Sequence, residues 1–204
     1  MSMNYLLGSY IIAMFMLIFI SSWRLAFITL AVQFFISATI LFSFEGIETI
    51  SSQVQFVDLV LVRSLAAPLG TIWLLKKFNF KAEFDVIPAN LVSWTLAISI
   101  IVVGYWCGQV IYPQRFQQAG FFGTATASIL LGIYILANQR SIVGQIIGIL
   151  IFEAGIILLE AFSKHQEAFF IQIGFAVVFL WTITLFWKFL AEFASIKELH
   201  GSDY

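Results

Sequence analysis

Seven runs of this chain are each long and apolar enough to cross a lipid bilayer, and nothing else in the sequence limits its fold as strongly. A hydrocarbon core about 30 Å thick takes about 20 apolar residues in helical form. The runs lie at roughly 4–21, 25–44, 56–75, 86–111, 121–138, 141–163 and 168–191. Backbone N–H and C=O groups have no water to bond in lipid, so a spanning segment must be a helix or part of a closed barrel. Barrel strands read as short segments of alternating polarity, whereas these runs are continuous. The predicted fold is therefore all-α and polytopic, with about seven transmembrane helices. Connections are short, the longest being 45–55, so residues 1–204 are expected to form a single transmembrane domain. The first run is not preceded by Lys or Arg. It lacks the basic n-region of a signal peptide and reads as a retained helix.

Basic residues set the expected orientation. Alternate connections carry Arg24, then Lys76, Lys77 and Lys81, then Arg140, then Lys188 and Lys197; the opposite set carries Arg115 and Lys164. The positive-inside rule places the richer set in the cytoplasm. The N-terminus is then outside and the C-terminus cytoplasmic, and the chain is expected to be a multi-pass protein of an inner (plasma) membrane. The aromatic pairs around Phe78–Phe80 and at Phe169–Phe170 read as interfacial belts.

Composition narrows the function. Hydrophobic residues make up 61% of the chain and charged ones 10%, against about 25% charged in a soluble domain. The net charge of −1 offers no basic surface for nucleic acid. A single cysteine, Cys107, excludes an intrachain disulfide and any cysteine-based cluster. His165 and His200 lie near predicted helix ends, which argues against a haem held by two histidines at membrane depth. No Gly-rich phosphate loop, CxxC or HExxH is present. No catalytic residue, cofactor or metal is assigned, and the chain is expected to be a non-enzyme.

What remains are charges at membrane depth, each of which needs a reason. Glu153 falls near the middle of the sixth run and Glu160 seven residues later. Seven residues is about two turns, so the carboxylates share a face roughly 10 Å apart. Gln145 falls in the same sector. Gly144, Gly148 and Gly155 fall on nearly the opposite face, and Gly144–Gly148 is a GxxxG that permits close helix contact. Arg63 lies in the third run, five residues before Pro68, where Pro68 is expected to disturb the preceding turn and break the helix, with Gly70 loosening it further. By helix rise Arg63 sits between the levels of Glu160 and Glu153, and pairing with one of them is one of two readings. Asp58, at the start of the same run, reads first as a helix-start charge. A proton relay through Glu153, Glu160 and Arg63 is one reading. The plainer readings are a protonated Glu153 bonded to a neighbouring helix, a Glu160 that reaches water at the membrane edge, and an interfacial Arg63 bonded to lipid or a partner subunit.

The block Leu130–Phe162, LLGIYILANQRSIVGQIIGILIFEAGIILLEAF, resembles component E of the hydrogenase-4 and formate hydrogenlyase membrane arm. The similarity rests on Gln139-Arg140-Ser141, Gln145, Gly148 and Glu153-Ala154-Gly155. It extends to Arg63 with Pro68-Leu69, where that family has Lys and Pro-Leu, and to Gln172–Gly174, where it has an EIG. The last three helices of that family are similar to the K subunit of respiratory complex I and the C subunit of Mrp-type antiporters. The resemblance implies a four-helix part at 1–120 and a three-helix part at 121–204. It implies a proton-path role for Glu153, with Gln145, Asp58 and Gln172 as polar neighbours. It also implies partners: other integral membrane subunits, antiporter-like proteins among them, surrounding lipid, and a peripheral redox or catalytic arm. The family's Asn after the Glu is Ala154 here, and its last-helix acid falls at Val178. Two other functions stay open from the residues alone: a purely structural bridge within such a complex, and a standalone transporter of small solutes.

Overall fold

The computed structural model describes residues 3–45, 50–78, 85–163 and 169–199. The described residues form helices joined by short turns: α1 (Met3–Phe19), α2 (Trp23–Glu45), α3 (Ile50–Val57), a π-helical segment (Asp58–Ala66), α4 (Ala67–Lys77), α5 (Leu91–Ile111), α6 (Phe116–Asn138), α7 (Ile142–Ser163) and α8 (Phe169–Leu199). Among the described residues, five stretches are long and apolar enough to cross a membrane: Trp23–Ser43, Ser52–Lys77, Leu91–Ile111, Phe116–Asn138 and Ile142–Glu160. Helix α1 is apolar but 17 residues long, and α8 runs for 31 residues.

The helix boundaries differ from the expected runs where local chemistry overrides hydropathy. The fourth run was expected from 86, but α5 starts at Leu91. Pro88 disfavours helix at the residue before it, and the Asn90 side chain accepts from Ser93 N–H at 2.7 Å as an N-cap. The skipped residues instead close one end of the bundle. Val86 and Ile87 are buried. Val86 N–H donates to Ile20 O at 3.4 Å, and Gln139 Nε2 donates to Asp85 O at 2.8 Å and Val86 O at 2.7 Å. The α1–α2 turn, the start of α5 and the α6–α7 turn therefore meet at one end. That end carries Arg24, the Lys76–Lys77 pair at the close of α4, and Arg140. Arg24 lies over the Trp23 ring and Lys77 over Trp73, at 5.2 Å from each centroid.

The third run holds the main departure. It was expected to break at Pro68. The helical backbone passes through Pro68, and the disturbance is taken up before it, in nine residues of π-helix. A proline ring clashes with the carbonyl four residues back, here that of Ser64, and supplies no N–H. Widening the turn so that each N–H bonds five residues back relieves that conflict. The bond from Ala67 N–H to Val62 O has this spacing. Gly70, expected to loosen the helix, instead lies under the indole of Trp187 on α8, whose Nε1 donates to Thr71 Oγ1 at 3.1 Å.

Packing is tightest along α5, α6 and α7, where small residues let backbones touch. A Cβ at Gly104 would stand 2.5 Å from Ala127 Cα, one at Gly132 2.6 Å from Phe152 N, and one at Gly155 2.8 Å from Ile129 N. The small-residue face of α7 thus packs within this chain, against α6. Gly148 lies on Ile135 and Leu136, while Gly144 lies against the Gln139 side chain. Helix α2 touches α1, α3, the π segment, α4 and α7, and buries Phe27, Leu30 and Phe34 completely. Helix α8 packs on α3 and α4. At the level of α7's middle, Ser128 Oγ donates to Ile151 O at 2.8 Å and so accepts from the Tyr10 hydroxyl at 3.0 Å, tying α1, α6 and α7 together.

Gly132→Val is expected to lower the thermal stability of the detergent-solubilised protein by about 1–3 kcal/mol, since the added atoms meet backbone that cannot yield. Gly8→Ala, where a Cβ meets nothing within 4 Å, should leave the melting temperature unchanged.

Candidate functional site

Arg63 is the best-buried charged side chain described, 4% exposed, and every feature of the site follows from how its charge is met. Its Nε donates to Asp58 Oδ2 at 2.6 Å, and its Nη1 donates to Glu153 Oε1 at 2.6 Å. The face of the guanidinium lies over the Phe179 ring of α8, 4.3 Å from its centroid, a cation–π contact that strengthens when water is excluded. One cation thus joins the π segment, α7 and α8.

The π-helix makes the first of these bonds possible. In an α-helix, residues five apart point roughly 140° away from each other. In a π-helix the wider turn brings residues five apart much closer to the same direction, and the Asp58 and Arg63 side chains meet. Ser64, next in the segment, donates to Ala31 O at 2.9 Å and fixes the segment on α2. Glu153 is brought to the same point by the glycine seam between α6 and α7. The pairing of Arg63 with a carboxylate of the sixth run, one of two readings from depth alone, is present with Glu153. Asp58, expected first as a helix-start charge, is Arg63's second carboxyl partner; the clue was the five-residue spacing next to Pro68.

Glu160 belongs to the same neighbourhood. A small hollow is lined by Val54, Gln55, Asp58, Leu59, Arg63, Ile157 and Glu160. Asp58 Oδ1, the oxygen not taken by Arg63, is buried and bonded to no protein group.

Other expected residues lie elsewhere. Gln145 is exposed in the first turn of α7, where its amide donates to Gln139 O at 3.4 Å. By helix rise it is about 12 Å from Glu153 along the axis, so it caps the helix start and does not join the polar face around Glu153. Gln172 lies in α8, but its side chain is outside the described residues, as are Lys81, Lys164, His165 and His200. Pro68 acts through the π segment. Gly144, Gly148 and Gly155 serve the seam that places Glu153. Val178, the position of the acid implied by the resemblance, is exposed; its neighbour Phe179 faces Arg63. Thr182 and Thr184 bond their own helix, donating to Val178 O and Leu180 O. Sequence reasoning missed the π turn, the Phe179 contact and the Tyr10–Ser128 bond.

The arrangement is two acids on one base. Burying net charge away from water is costly, and an arginine does not give up its proton. The set is electrically balanced when one carboxyl carries a proton. The chemistry available to it is the gain, loss or exchange of that proton. Glu153 is the more open acid, its side chain 25% exposed against 12% for Asp58. Among the described residues, no group of three His, Cys, Asp or Glu side chains is placed to hold a metal ion.

No family model, curated protein or solved structure matches the chain.

Removing the two acids should harm stability more than removing the base. Asp58→Asn with Glu153→Gln leaves Arg63 a buried cation without an anion, and a loss of about 3–5 kcal/mol is expected. Arg63→Met leaves two acids that can take up protons and should cost less. Thermal melting of the purified variants in one detergent ranks them; the reverse order would show that the cluster is open to water.

Proposed function

We propose that this chain is a non-catalytic membrane subunit of a complex-I-like, ion-translocating assembly, and that Glu153, paired with Arg63, carries protons within it. The observation that supports the reading best is the guanidinium held between two carboxyl groups at membrane depth. Ionisable residues in such places are costly, and they mark ion and proton pathways more often than they serve stability. The proposed topology has seven spans, adding α1 and α8 to the five long apolar stretches. The basic end faces the cytoplasm of a bacterial cell and the N-terminus lies outside.

The resemblance to component E of hydrogenase-4 supplies the kind of assembly: antiporter-like membrane partners and a peripheral redox or catalytic arm. In this reading Glu153 changes protonation while Arg63 shifts its weight between Glu153 and Asp58. When Arg63 leans on Asp58, Glu153 is free to hold a proton; when it leans on Glu153, that proton is released. Movement of α8 or of the π segment against α7 would set the balance, because both touch the guanidinium.

A structural bridge is the second reading, and the exposed apolar faces favour it. Helix α5 presents Val102, Val103 and Trp106, and α8 presents Val177, Trp181 and Leu185. These faces suit lipid or neighbouring subunits.

The two readings part on Glu153→Gln, which keeps shape and a hydrogen bond but cannot ionise. In the intact assembly reconstituted into liposomes, proton translocation is expected to fall at least tenfold with the subunit composition unchanged. Full translocation by a correctly assembled variant would overturn the relay and leave the bridge.

A further inference from the structure

The hollow beside the cluster has a position, a lining and an orphan atom that the paired charges alone do not explain. It is built from the start of the third helical rod (Val54, Gln55, Asp58, Leu59) and the last turns of α7 (Ile157, Glu160). Lys76 and Lys77 lie at the other end of that rod, and Arg140 precedes the other end of α7. The hollow therefore lies toward the end of the bundle opposite the basic one. Its floor is the Arg63 cluster, and its space is enough for about one water molecule. Asp58 lines it, and the Oδ1 of that side chain is buried and bonded to no protein group. A buried carboxylate oxygen left in that state costs free energy unless something donates to it. Glu160 forms part of the opposite wall.

We propose that this hollow is a water port that gives the Arg63 cluster proton access from the non-basic face of the membrane, with Asp58 as the inner acid and Glu160 as the outer one. The inference rests on the relay reading above and adds its route and side. A water in the hollow donates to Asp58 Oδ1 and lies within the reach of Glu160. When Asp58 releases a proton, the water accepts it and passes one of its own protons to the Glu160 carboxylate, which exchanges with solvent at the membrane edge. Asp58 is bonded to Arg63 through its other oxygen, and Arg63, which keeps its own protons, couples Asp58 to Glu153 electrostatically: as the cation leans toward one acid, the other is favoured to hold the proton. The seven-residue offset between Glu153 and Glu160 then has a use: Glu153 meets Arg63 inside the cluster, while Glu160 lines the hollow through which Asp58 exchanges its proton.

Two measurements test this, and they separate it from the relay itself. In a Cys107→Ser background, Ile157→Cys places a thiol in the hollow, and Ile156→Cys places one on the exposed outer side of α7. The probe is the silver ion, which is close to water in size, added to oriented membrane vesicles containing the native assembly. Reaction is read as protection from later maleimide labelling in denaturant. Ile157→Cys is expected to react at least tenfold faster than Ile156→Cys, and only with silver on the non-basic face. Equal rates, or reaction from the basic face, would overturn the port. Leu59→Cys provides the same reading should Ile157→Cys fail to assemble.

Glu160→Gln is the second arm and is expected to slow proton translocation about tenfold with assembly intact. Full translocation by Glu160→Gln, where Glu153→Gln is inactive, would remove Glu160 from the route. Full translocation by Glu153→Gln is a failure of the relay, and the silver rates then still decide whether the port exists.

Discussion

An arginine cannot discard its charge, and in this chain that one fact organises three helices. Placing a free arginine at the centre of a membrane helix costs about 2.5–3.5 kcal/mol on insertion scales. Arg63 is almost wholly enclosed, so its charge has to be met from inside the bundle. Asp58 meets it from one side and Glu153 from another, while Phe179 covers its face. Each contact comes from a different helical segment, and each depends on a separate local device. The π turn rotates Asp58 into line. The glycine seam between α6 and α7 carries Glu153 to the right point. Trp187, seated over Gly70 and bonded to Thr71, holds α8 so that Phe179 reaches the guanidinium.

These devices explain why the small residues and the charges occur together. The α5–α6–α7 layer is held by backbone contacts that leave little freedom. The third rod, with its widened turn, is the less regular element, and it carries Asp58 and Arg63 as well as most of the hollow. A rigid acid facing a cation on a locally widened helix is an arrangement in which a small shift changes which acid holds the charge. Phe179 adds a third body that can alter the balance without being ionisable itself.

Much of this was legible from residue types and spacing. The apolar runs showed where the helices lie, the scarcity of polar residues pointed to lipid, and depth put Arg63 between Glu160 and Glu153, within reach of either. What could not be read follows from assuming 3.6 residues per turn throughout. With that period Asp58 and Arg63 diverge, and Asp58 looks like a terminal charge. Pro68 was a true signal: it disturbs the turn before it, as expected, but by widening the helix there, with no break at the proline itself. Gln145 shows the opposite error. It shares a helical sector with Glu153, but it lies at the membrane end, where the Gln139 carbonyl takes its amide. Residues 85–90 were absorbed into an apolar run because Val86 and Ile87 are hydrophobic; they are buried, but as part of the turn that closes the basic end. Phe179 had no signal at all, since one phenylalanine among 23 looks like any other.

The second acid is the part of the site that stability least explains. A buried ion pair rarely stabilises a fold more than well-packed apolar side chains of the same size. One acid would already balance Arg63. A further carboxyl on the same guanidinium raises the electrostatic cost unless a proton neutralises one of the two, and Asp58 adds an oxygen with no protein donor. A scaffold built only to hold helices together has no use for this surplus. A site that must hold a proton in one state and lose it in another requires it, because the surplus acid is where that proton resides. The stoichiometry of the cluster, two acids to one permanent cation, therefore favours proton handling over bridging before any partner subunit is considered.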